Sequence, residues 1–269
     1  MNTPALVKRT FLCISVLVAL QASAEWARVS AGVDYQHIRR GALDAHVTRI
    51  DLTQADVRVR ATNEDERGLT VSEFARQREA IVAINGDYFN EQMQPIGVSV
   101  GACDVWSEGV KITRNQGLVA FGDGRAEIQA NTQKVADWMR GAVSGWPMLI
   151  RDCEVIADLP GSDHFTRAPH PRTAVGLSRN GKTAYFVVTD GRREGVPGLT
   201  LPELAAFMRE ELGVCRAMNL DGGGSSAMWV RDAIVNVPSD GKERKVANHL
   251  AIVAADAADD CKHQRMAKE

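Results

Sequence analysis

The sequence has almost no excess of charge of either sign, since 32 Lys and Arg residues face 34 Asp and Glu residues and the formal net charge is −2. This balance gives no electrostatic basis for binding nucleic acid or an anionic membrane surface. Downstream of the N-terminus, no apolar run approaches the ~20 residues of a membrane-spanning helix. A CxxC pair, a His-Cys cluster, a GxxxxGK[ST] loop and a DxDxDG loop are also missing, which argues against a zinc finger, a P-loop and an EF-hand.

What remains is the composition of an ordinary globular protein, with 45% hydrophobic and 25% charged residues in a chain of 269. This length is enough for a sizeable core, and no low-complexity linker divides it. We therefore predict a single α+β domain over residues 25–255, with a mixed β-sheet core flanked by helices. Residues 256–269 form a charged tail that we expect to be a frayed helix or disordered.

The N-terminus has the pattern of a secretory signal peptide over residues 1–24. Lys8 and Arg9 precede the apolar run "FLCISVLVAL", and the small residues "ASA" stand directly before Glu25. Cys13 lies inside the apolar run and not at a lipobox, so no lipid anchor is expected. The mature protein is predicted to be soluble and exported, to a periplasm or to the medium, without a stable membrane anchor.

Four of the five cysteines follow the predicted signal peptide. An even number of cysteines in an exported chain favours disulfide bonds, and four cysteines allow three connectivities. We expect the pairs Cys103–Cys153 and Cys215–Cys261. Four buried free thiols are the alternative.

Two segments share a pattern of helix, strand and polar turn. "GLTVSEFA" and "GLTLPELA" each contain a capping box that begins a helix, Thr70 with Glu73 and Thr200 with Glu203. Each helix is followed by a predicted buried strand, "AIVAIN" or "VCRAMNL", and then by a turn rich in Gly and Asp. The pattern predicts a pseudo-repeat that places two polar turns at neighbouring strand ends. Chance similarity of two capped helices is the alternative.

A β-hairpin is predicted for "RTAVGLSRNGKTAYFVVTDGR", whose Asn180-Gly181 pair suits a two-residue turn. Antiparallel pairing brings Arg172, at the start of one strand, close to Arg192, just past the end of the other. Two guanidinium groups in one place favour bidentate binding of a phosphate. Two surface arginines that balance Asp190 and Asp163 are the alternative.

The stretch "NLDGGGSS" places three glycines between an aspartate and two serines. Backbone amides of successive glycines can converge on an anion, because no Cβ obstructs its approach. Ser225 and Ser226 add hydroxyl donors, so the loop is predicted to hold a phosphate or a sugar oxygen. A tight structural bend, capped by the Asp221 side chain, is the alternative.

Several motifs occur together and in register: "NGDYF", "GWPMLIRD", "HPRTAVGLSRNGKTAYFVVTDGR", "GLTLPELAAFMREELG", "NLDGGGSSAM" and "RKVANHLAI". Over residues 81–253 this set resembles the phosphodiester glycosidase family. The resemblance implies a mixed sheet flanked by helices and an enzyme that cleaves a sugar-1-phosphate diester. The implied partner is a phosphorylated glycan or sugar phosphate, with neither the sugar nor the group beyond the phosphate specified.

The resemblance also implies the site residues. Asp190 of "DGR" and Asp221 of "LDGGG" are the predicted catalytic residues. The predicted substrate-binding residues, which include the two serines of the glycine turn, are Asn85, Gly86, Asp87, Arg172, Arg192, Gly222, Gly223, Gly224, Ser225, Ser226 and Asn248.

The leaving group suggests a mechanism. An alkoxide needs protonation to depart from a sugar, whereas a phosphomonoester, with a second pKa of about 6, departs as a stabilised anion. Arginines that hold the departing charge therefore matter more than a general acid. We predict that one of Asp190 and Asp221 acts as base or nucleophile and that the other orients or stabilises, with no cofactor.

Two other functions fit the same residues. In a metal-dependent phosphodiesterase, Asn85, Asn219 and above all Asp87 and Asp221 would offer oxygen ligands to Ca²⁺ or Mg²⁺. The third hypothesis is a secreted module that binds a glycan or phosphate without catalysis. His164 and His170 could reach a substrate but are predicted to be surface histidines. Trp106, Trp138 and Trp146 could stack on a sugar but are predicted to pack in or near the core, as is Trp229.

Overall fold

The computed structural model describes residues 25–54, 56–109, 116–122, 124–130 and 134–255. In this part of the chain the strands form one eight-stranded and two five-stranded sheets. The first sheet, in spatial order, contains β1 (Ala27–Ser30), β2 (Val33–Arg40), β3 (Leu43–Asp51), β14 (Thr183–Thr189), β13 (Arg172–Leu177), β15 (Arg216–Asn219), β11 (Met148–Arg151) and β12 (Glu154–Val155). The second contains β7 (Asp104–Glu108), β6 (Val98–Gly101), β10 (Gly141–Gly145), β8 (Gly117–Gly122) and β9 (Arg125–Ala130). The third contains β17 (Ala233–Ile234), β16 (Met228–Val230), β5 (Val82–Asn85), β18 (His249–Ala254) and β4 (Val57–Ala61).

The helices are few and short in the described residues. They are α1 (Val71–Gln77), α2 (Asp163–Thr166) and α3 (Leu201–Glu210), with 3₁₀ turns at Glu64–Glu66 and Gly223–Ser225. Both predicted capping boxes are present: Thr70 and Thr200 accept hydrogen bonds from the backbone amides of Glu73 and Glu203, whose side chains bond back. No helix among the described residues has the length and apolarity to cross a bilayer.

All three sheets contribute side chains to one shared core. Phe186 of the first sheet meets Phe121 of the second edge to face, with ring centroids 6.2 Å apart, and Ile84 of the third belongs to the same buried cluster. Each such side chain contributes roughly 1.5–3 kcal/mol by leaving water. The shared core agrees with a single domain.

The prediction of a mixed sheet flanked by helices is only partly right. Every strand pairing named in the described chain is antiparallel. Helix α1 packs against the third sheet and α3 against the first. The two helix–strand units therefore cover different sheets, so they do not form the crossovers of a parallel sheet.

The β13–β14 hairpin forms with Arg172 opposite Thr189, but its turn is longer than predicted. The amide of Ser178 bonds to the carbonyl of Thr183, which leaves four residues in the loop. Gly181 has a positive φ of 69°, and the Asn180 side chain accepts from the amide of Lys182. A side-chain turn at Asn180 thus replaces the positive φ expected there.

The predicted disulfide pairing is wrong, because Cys153 bonds to Cys215. Strand β11, which precedes Cys153, pairs with β15, which follows Cys215, so strand order brings the two thiols together. Cys103 is disulfide-bonded as well. Cys261, the predicted signal peptide and the charged tail lie outside the described residues.

Candidate active site

The polar turns that follow β5 and β15 meet, as the pseudo-repeat predicts. The amide of Asp221 donates to the carbonyl of Gly86 (3.0 Å), and Asn85 Nδ2 donates to the carbonyl of Asp221 (2.7 Å). Strand β5 lies in the third sheet and β15 in the first, so these bonds join two sheets at their strand ends. The site is built where the two sheets converge.

Three of the predicted binding residues fix this junction. Asn85 Oδ1 is buried and accepts from Thr173 Oγ1 (2.8 Å) and from the amide of Ala227 (3.2 Å). Asn248 Oδ1 accepts from the amide of Asp87 (2.6 Å). A Cβ on Gly86 would lie 2.2 Å from that same oxygen, so only glycine fits there. Asn85, Gly86 and Asn248 thus position the backbone of both turns.

Asp221 is a partly accessible carboxyl group at the centre of the junction. It is hydrogen-bonded by Ser225 and by the amide of Gly222, and Arg244 is a nearby positive charge. Burial nevertheless raises the pKa of Asp221 to about 6. A carboxyl group in this range is ionised at neutral pH yet still basic enough to accept a proton.

Asp87 is more deeply buried and fully hydrogen-bonded. Its Oδ1 accepts from the amide of Tyr88 (2.7 Å) and its Oδ2 from the amide of Gly97 (2.8 Å). Burial, reinforced by the charge of Asp221, raises the pKa of Asp87 to about 7 even though both amide bonds favour its charged form. Both oxygens face backbone amides, which is unlike the open oxygens of a metal ligand.

Tyr88, which the sequence analysis did not select, connects Asp87 and Asp221 to the basic side of the site. Its hydroxyl accepts from Asn219 Nδ2 (2.6 Å) and donates to the carbonyl of Trp146 (3.0 Å). Burial raises the pKa of Tyr88 well above its usual value; the charges of both aspartates act in the same direction and Arg172 opposes them. The sequence does indicate Tyr88, because it is the fourth residue of the motif "NGDYF" that contributes to the family resemblance.

Arg172 carries a buried charge with neutral hydrogen-bond partners. Only 2% of the residue is exposed, and its guanidinium donates to the carbonyls of Leu199 (2.9 Å), Phe165 (2.8 Å) and Ala168 (3.1 Å). Burial, reinforced by the charge of Arg192, lowers the pKa of Arg172 to about 10. Carbonyls satisfy the N–H groups without neutralising the charge, so an anion is the natural complement of this group.

Arg192 and Arg244 pack on the glycine turn, and this explains two of the three glycines. A Cβ on Gly223, whose φ is +61°, would lie 2.9 Å from Arg192 Nη2. A Cβ on Gly224 would lie 2.1 Å from Arg244 Nη2, which is itself 2.6 Å from Asp240 Oδ2. The turn therefore lets two guanidinium groups approach the backbone beside Asp221.

The third glycine makes room for the hairpin, because a Cβ on Gly222 would lie 2.8 Å from the carbonyl of Pro171. That carbonyl accepts from the amide of Gly223 (2.8 Å), and the amides of Ser225 and Ser226 bond back into the turn (3.2 Å each). The predicted amide cradle is thus absent at these three amides. The guanidinium groups of Arg192 and Arg244 are the charged donors that lie at the turn.

A cavity of about 440 Å³ opens beside Tyr88. Trp146 and Phe165 stack within it, with ring centroids 5.0 Å apart, and Arg172 lies over the Phe165 ring. The cavity is lined by Asp87, Tyr88, Ile96, Gln116, Trp146 and Phe165. Trp146 was expected only to pack, yet its ring faces a space of the size that small ligands occupy.

Asp190 lies in a different cluster from Asp221. Its carboxylate accepts from Arg193 Nη2 (2.8 Å), from the amide of Val237 (3.0 Å) and from Asn236 Nδ2 (3.3 Å). Asn236 in turn donates to the carbonyl of Ser226, which links Asp190 indirectly to the glycine turn. Burial raises the pKa of Asp190, while these hydrogen bonds oppose the shift.

His170 also lies nearer the site than expected, since its Nδ1 is 3.5 Å from Arg192 Nη2. His164 stacks edge to face on His170, with centroids 4.9 Å apart. Burial lowers the pKa of His170, and the charges of Arg172 and Arg192 add to the effect. The neutral ring therefore adds no positive charge beside the two arginines.

Comparison with known proteins supports the resemblance. Mouse N-acetylglucosamine-1-phosphodiester alpha-N-acetylglucosaminidase is 30% identical over 198 residues, which cover 65% of this chain and 36% of the mouse protein. The uncharacterised SPbeta prophage-derived protein YomE of Bacillus subtilis is 28% identical over 190 residues, which cover 68% of this chain and 29% of YomE. The chain thus spans about a third of the length of these curated relatives.

The solved catalytic domain of the zebrafish N-acetylglucosamine-1-phosphodiester alpha-N-acetylglucosaminidase shares the fold. It aligns over 82% of both chains with a TM-score of 0.65 and 21% sequence identity. The family model for phosphodiester glycosidases matches residues 78–253, and these include Asp87, Arg172, Asp221 and Arg244. The chain belongs to the phosphodiester glycosidase family.

Proposed function

We propose that the protein is an exported hydrolase that cleaves the glycosidic C–O bond of a sugar-1-phosphate diester, releasing the sugar and a phosphomonoester. The supporting observation is that Asp221, a carboxyl group with a raised pKa, and the buried Arg172 both act on the same buried Tyr88. Arg192 and Arg244 add two further cations at the same turn. Family membership supports the reaction class.

The arginines hold the phosphate as it departs. When the bond between the anomeric carbon and the phosphate oxygen breaks, its electron pair goes to the phosphate, whose charge rises from −1 to −2. Donors fixed before the reaction stabilise such developing charge without reorganising. Arg172 is fixed by three carbonyls and fits this role, and the exposed Arg192, next to Gly223, adds a second positive charge.

Asp221 acts either as the general base that activates water or as the nucleophile itself. As a general base it takes a proton from a water molecule whose oxygen attacks the anomeric carbon, while the phosphate leaves on the opposite side. As a nucleophile it forms a glycosyl ester that water then hydrolyses. The anomeric configuration of the freshly released sugar distinguishes inversion, expected for the base, from retention, expected for the nucleophile.

The aromatic cavity receives the sugar ring. Apolar C–H faces of sugars pack on aromatic rings, and the rings of Trp146 and Phe165 supply such a surface next to Arg172. In this pose the anomeric carbon lies between the cavity and the arginines. Asp87 and Tyr88 form the boundary between the two.

Asp190 is assigned a positioning role in this proposal. Its carboxylate is occupied by Arg193, Val237 and Asn236, and Asn236 supports the glycine turn through Ser226. Asp190→Asn is therefore expected to lower kcat much less than Asp221→Asn. Loss of the Asp221 general base or nucleophile is expected to lower kcat about 10²–10⁴-fold. Equal losses in both variants would restore Asp190 as a catalytic residue.

The decisive experiment is hydrolysis of a sugar-1-phosphate diester in ¹⁸O-labelled water. Label in the released sugar means C–O cleavage, as proposed, and label in the phosphate means P–O cleavage, as in the metal-dependent alternative. Asp163→Asn, at an exposed aspartate, is the matched control and keeps full activity. Tight binding of the diester without any turnover would favour the non-catalytic binding module.

Export is part of the proposal and has its own test. Expression of the whole chain in a bacterial host, followed by N-terminal sequencing, should give a mature protein that begins at Glu25. An uncleaved N-terminus in the cytoplasmic fraction would contradict it.

A further inference from the structure

We propose that the β2–β3 hairpin holds a divalent transition-metal ion of the zinc class, bound by His37, Asp44 and His46, with Asp190 as a neighbouring carboxylate outside the ligand set. The three ligands lie on one face of the hairpin. His37 pairs directly with His46 across the hairpin, and Asp44 is two residues before His46. The amide of Asp190 bonds to the carbonyl of Asp44, which places the two carboxylates side by side.

The donor atoms are close enough for a single ion. One nitrogen or oxygen from each of His37, Asp44 and His46 lies within 4.8 Å of the other two. His37 Nε2 is 2.7 Å from Asp44 Oδ1, and His46 Nε2 is 3.8 Å from it and 4.0 Å from Asp190 Oδ2. Tetrahedral zinc with bonds near 2.0 Å separates its ligands by about 3.3 Å. The two histidine–Asp44 distances thus differ from this separation by about half an ångström, and no ligand pair exceeds it by more than about 1.5 Å.

His46 gives an independent indication of a ligand. The residue is buried, and its Nδ1 is 2.8 Å from the Tyr35 hydroxyl. Within the part of the chain that the structure describes, its Nε2 has no hydrogen bond and points between the carboxylates of Asp44 and Asp190. A buried imidazole whose second nitrogen is fixed by a hydrogen bond is the usual arrangement of a metal-binding histidine.

The surrounding charges are compatible with a cation. Arg193 Nη2 bonds to Asp44 Oδ2 (3.0 Å) and Asp190 Oδ2 (2.8 Å), and the exposed Arg39 reaches Asp44 Oδ2 at 3.4 Å. Two buried carboxylates outnumber the single partly buried arginine, so the cluster keeps a negative balance. Arg193 orients both carboxylates, as outer-shell partners of metal ligands do. Asp44 Oδ1 stays turned toward the histidines.

The expected role is a structural clamp. Three protein ligands would fix the two strands of the hairpin to each other and leave the fourth tetrahedral position to water. The His37 side chain is 36% exposed, so it gives the ion an entry path. The ligands include neither Asp221 nor Arg172, Arg192 and Arg244, and the site is linked to the proposed hydrolysis only through Arg193, which joins Asp44 to the positioning residue Asp190.

The test uses the mature chain without a histidine tag. After EDTA dialysis and reloading with Zn²⁺, elemental analysis should find one zinc per chain, and Co²⁺ should give the intense visible bands of tetrahedral cobalt. Zinc should also raise Tm. His37→Gln, at a half-exposed position that should fold normally, should weaken zinc binding at least tenfold, since even outer-shell changes weaken binding by about 10–100-fold. His164→Gln is the matched control and should bind like the wild type.

Two results would overturn the proposal. Wild-type protein that retains no zinc in the presence of excess Zn²⁺ would show that the cluster is a hydrogen-bonded network only. Zinc retained equally by His37→Gln and Asp44→Asn would show that the ion binds elsewhere. Circular dichroism of each variant establishes that it is folded before its metal content is interpreted.

Discussion

Replacement of Asp221 by asparagine should remove activity and, at the same time, stabilise the protein at alkaline pH. Burial raises the pKa of this carboxyl group from 3.8 to about 6, so the folded state binds its proton more tightly than the unfolded state does. The folded wild type therefore loses stability as pH rises from 3.8 through 6. A shift of about two pKa units corresponds to about 3 kcal/mol of unfolding free energy.

Asparagine has the shape of the protonated acid and does not titrate. The free energy of unfolding of Asp221→Asn, relative to the wild type, should therefore increase by up to about 3 kcal/mol between pH 4 and pH 8. Urea unfolding followed by circular dichroism at several pH values measures this difference. Asp163→Asn, at an exposed carboxylate in a short helix, is the control and should show little change with pH.

The pH dependence of the difference is the critical quantity, since any substitution can shift stability by a constant. A difference that stays constant between pH 4 and pH 8 would show that the Asp221 carboxylate is as well solvated as in the unfolded chain. A difference of opposite sign would show that Ser225 and Arg244 stabilise the carboxylate more than burial penalises it. Either result would remove the basis for treating Asp221 as a poised base.

The other predictions concern the glycine turn, the pH profile, the cavity and the disulfide. Gly224→Ala should displace the flexible end of the Arg244 side chain, with little loss of Tm but a fall in kcat of about 10²–10³-fold. The double variant Gly224→Ala/Arg244→Ala should lose no more kcat than either single variant. Additive losses would show that the two residues act independently. The kcat/KM of the wild type should rise with pH through about 6 as Asp221 ionises; a flat profile there would contradict its role. Phe165→Ala should raise KM for the sugar diester by more than it lowers kcat, as steady-state kinetics would show, and an unchanged KM would exclude the cavity as the sugar site. Removing the Cys153–Cys215 bond, which spans 62 residues, should lower the free energy of unfolding by about 4 kcal/mol, and reduction without any fall in Tm would contradict this.

The local signals in the sequence predicted well because their physics is local. A capping box involves only the four residues from Thr70 to Glu73, which make its hydrogen bonds among themselves. The hairpin brought Arg172 opposite Thr189, as alternating strands around a Gly turn require. The contact between Gly86 and Asp221 also followed, because both turns end buried strands of the same pattern.

The rest depended on which strands become neighbours, and the linear sequence does not contain that order. Cys153 finds Cys215 because β11 pairs with β15. Asp190 stands beside Asp44 because β14 pairs with β3, more than a hundred residues upstream. Asp190 is predicted from its place after a strand, and the pairing of β14 with β3 adds Asp44 as a neighbour that shares Arg193 with it.

The arrangement of neighbouring strands also explains why the turn after β15 contains three glycines. The amides of Gly223, Ser225 and Ser226 bond within the protein, and arginines reach the turn from separate segments: Arg172 and Arg192 from the β13–β14 hairpin and Arg244 from the loop before β18. Arg172 and Arg192 repel each other, burial of Arg172 adds a cost that its carbonyl partners offset only in part, and Arg244 is paired with Asp240. The hydrogen bonds of Arg172 to three carbonyls hold it in place against this repulsion. A phosphate diester entering there relieves the repulsion, and the second negative charge that appears on bond cleavage relieves it further, so the strongest binding coincides with the departing phosphate.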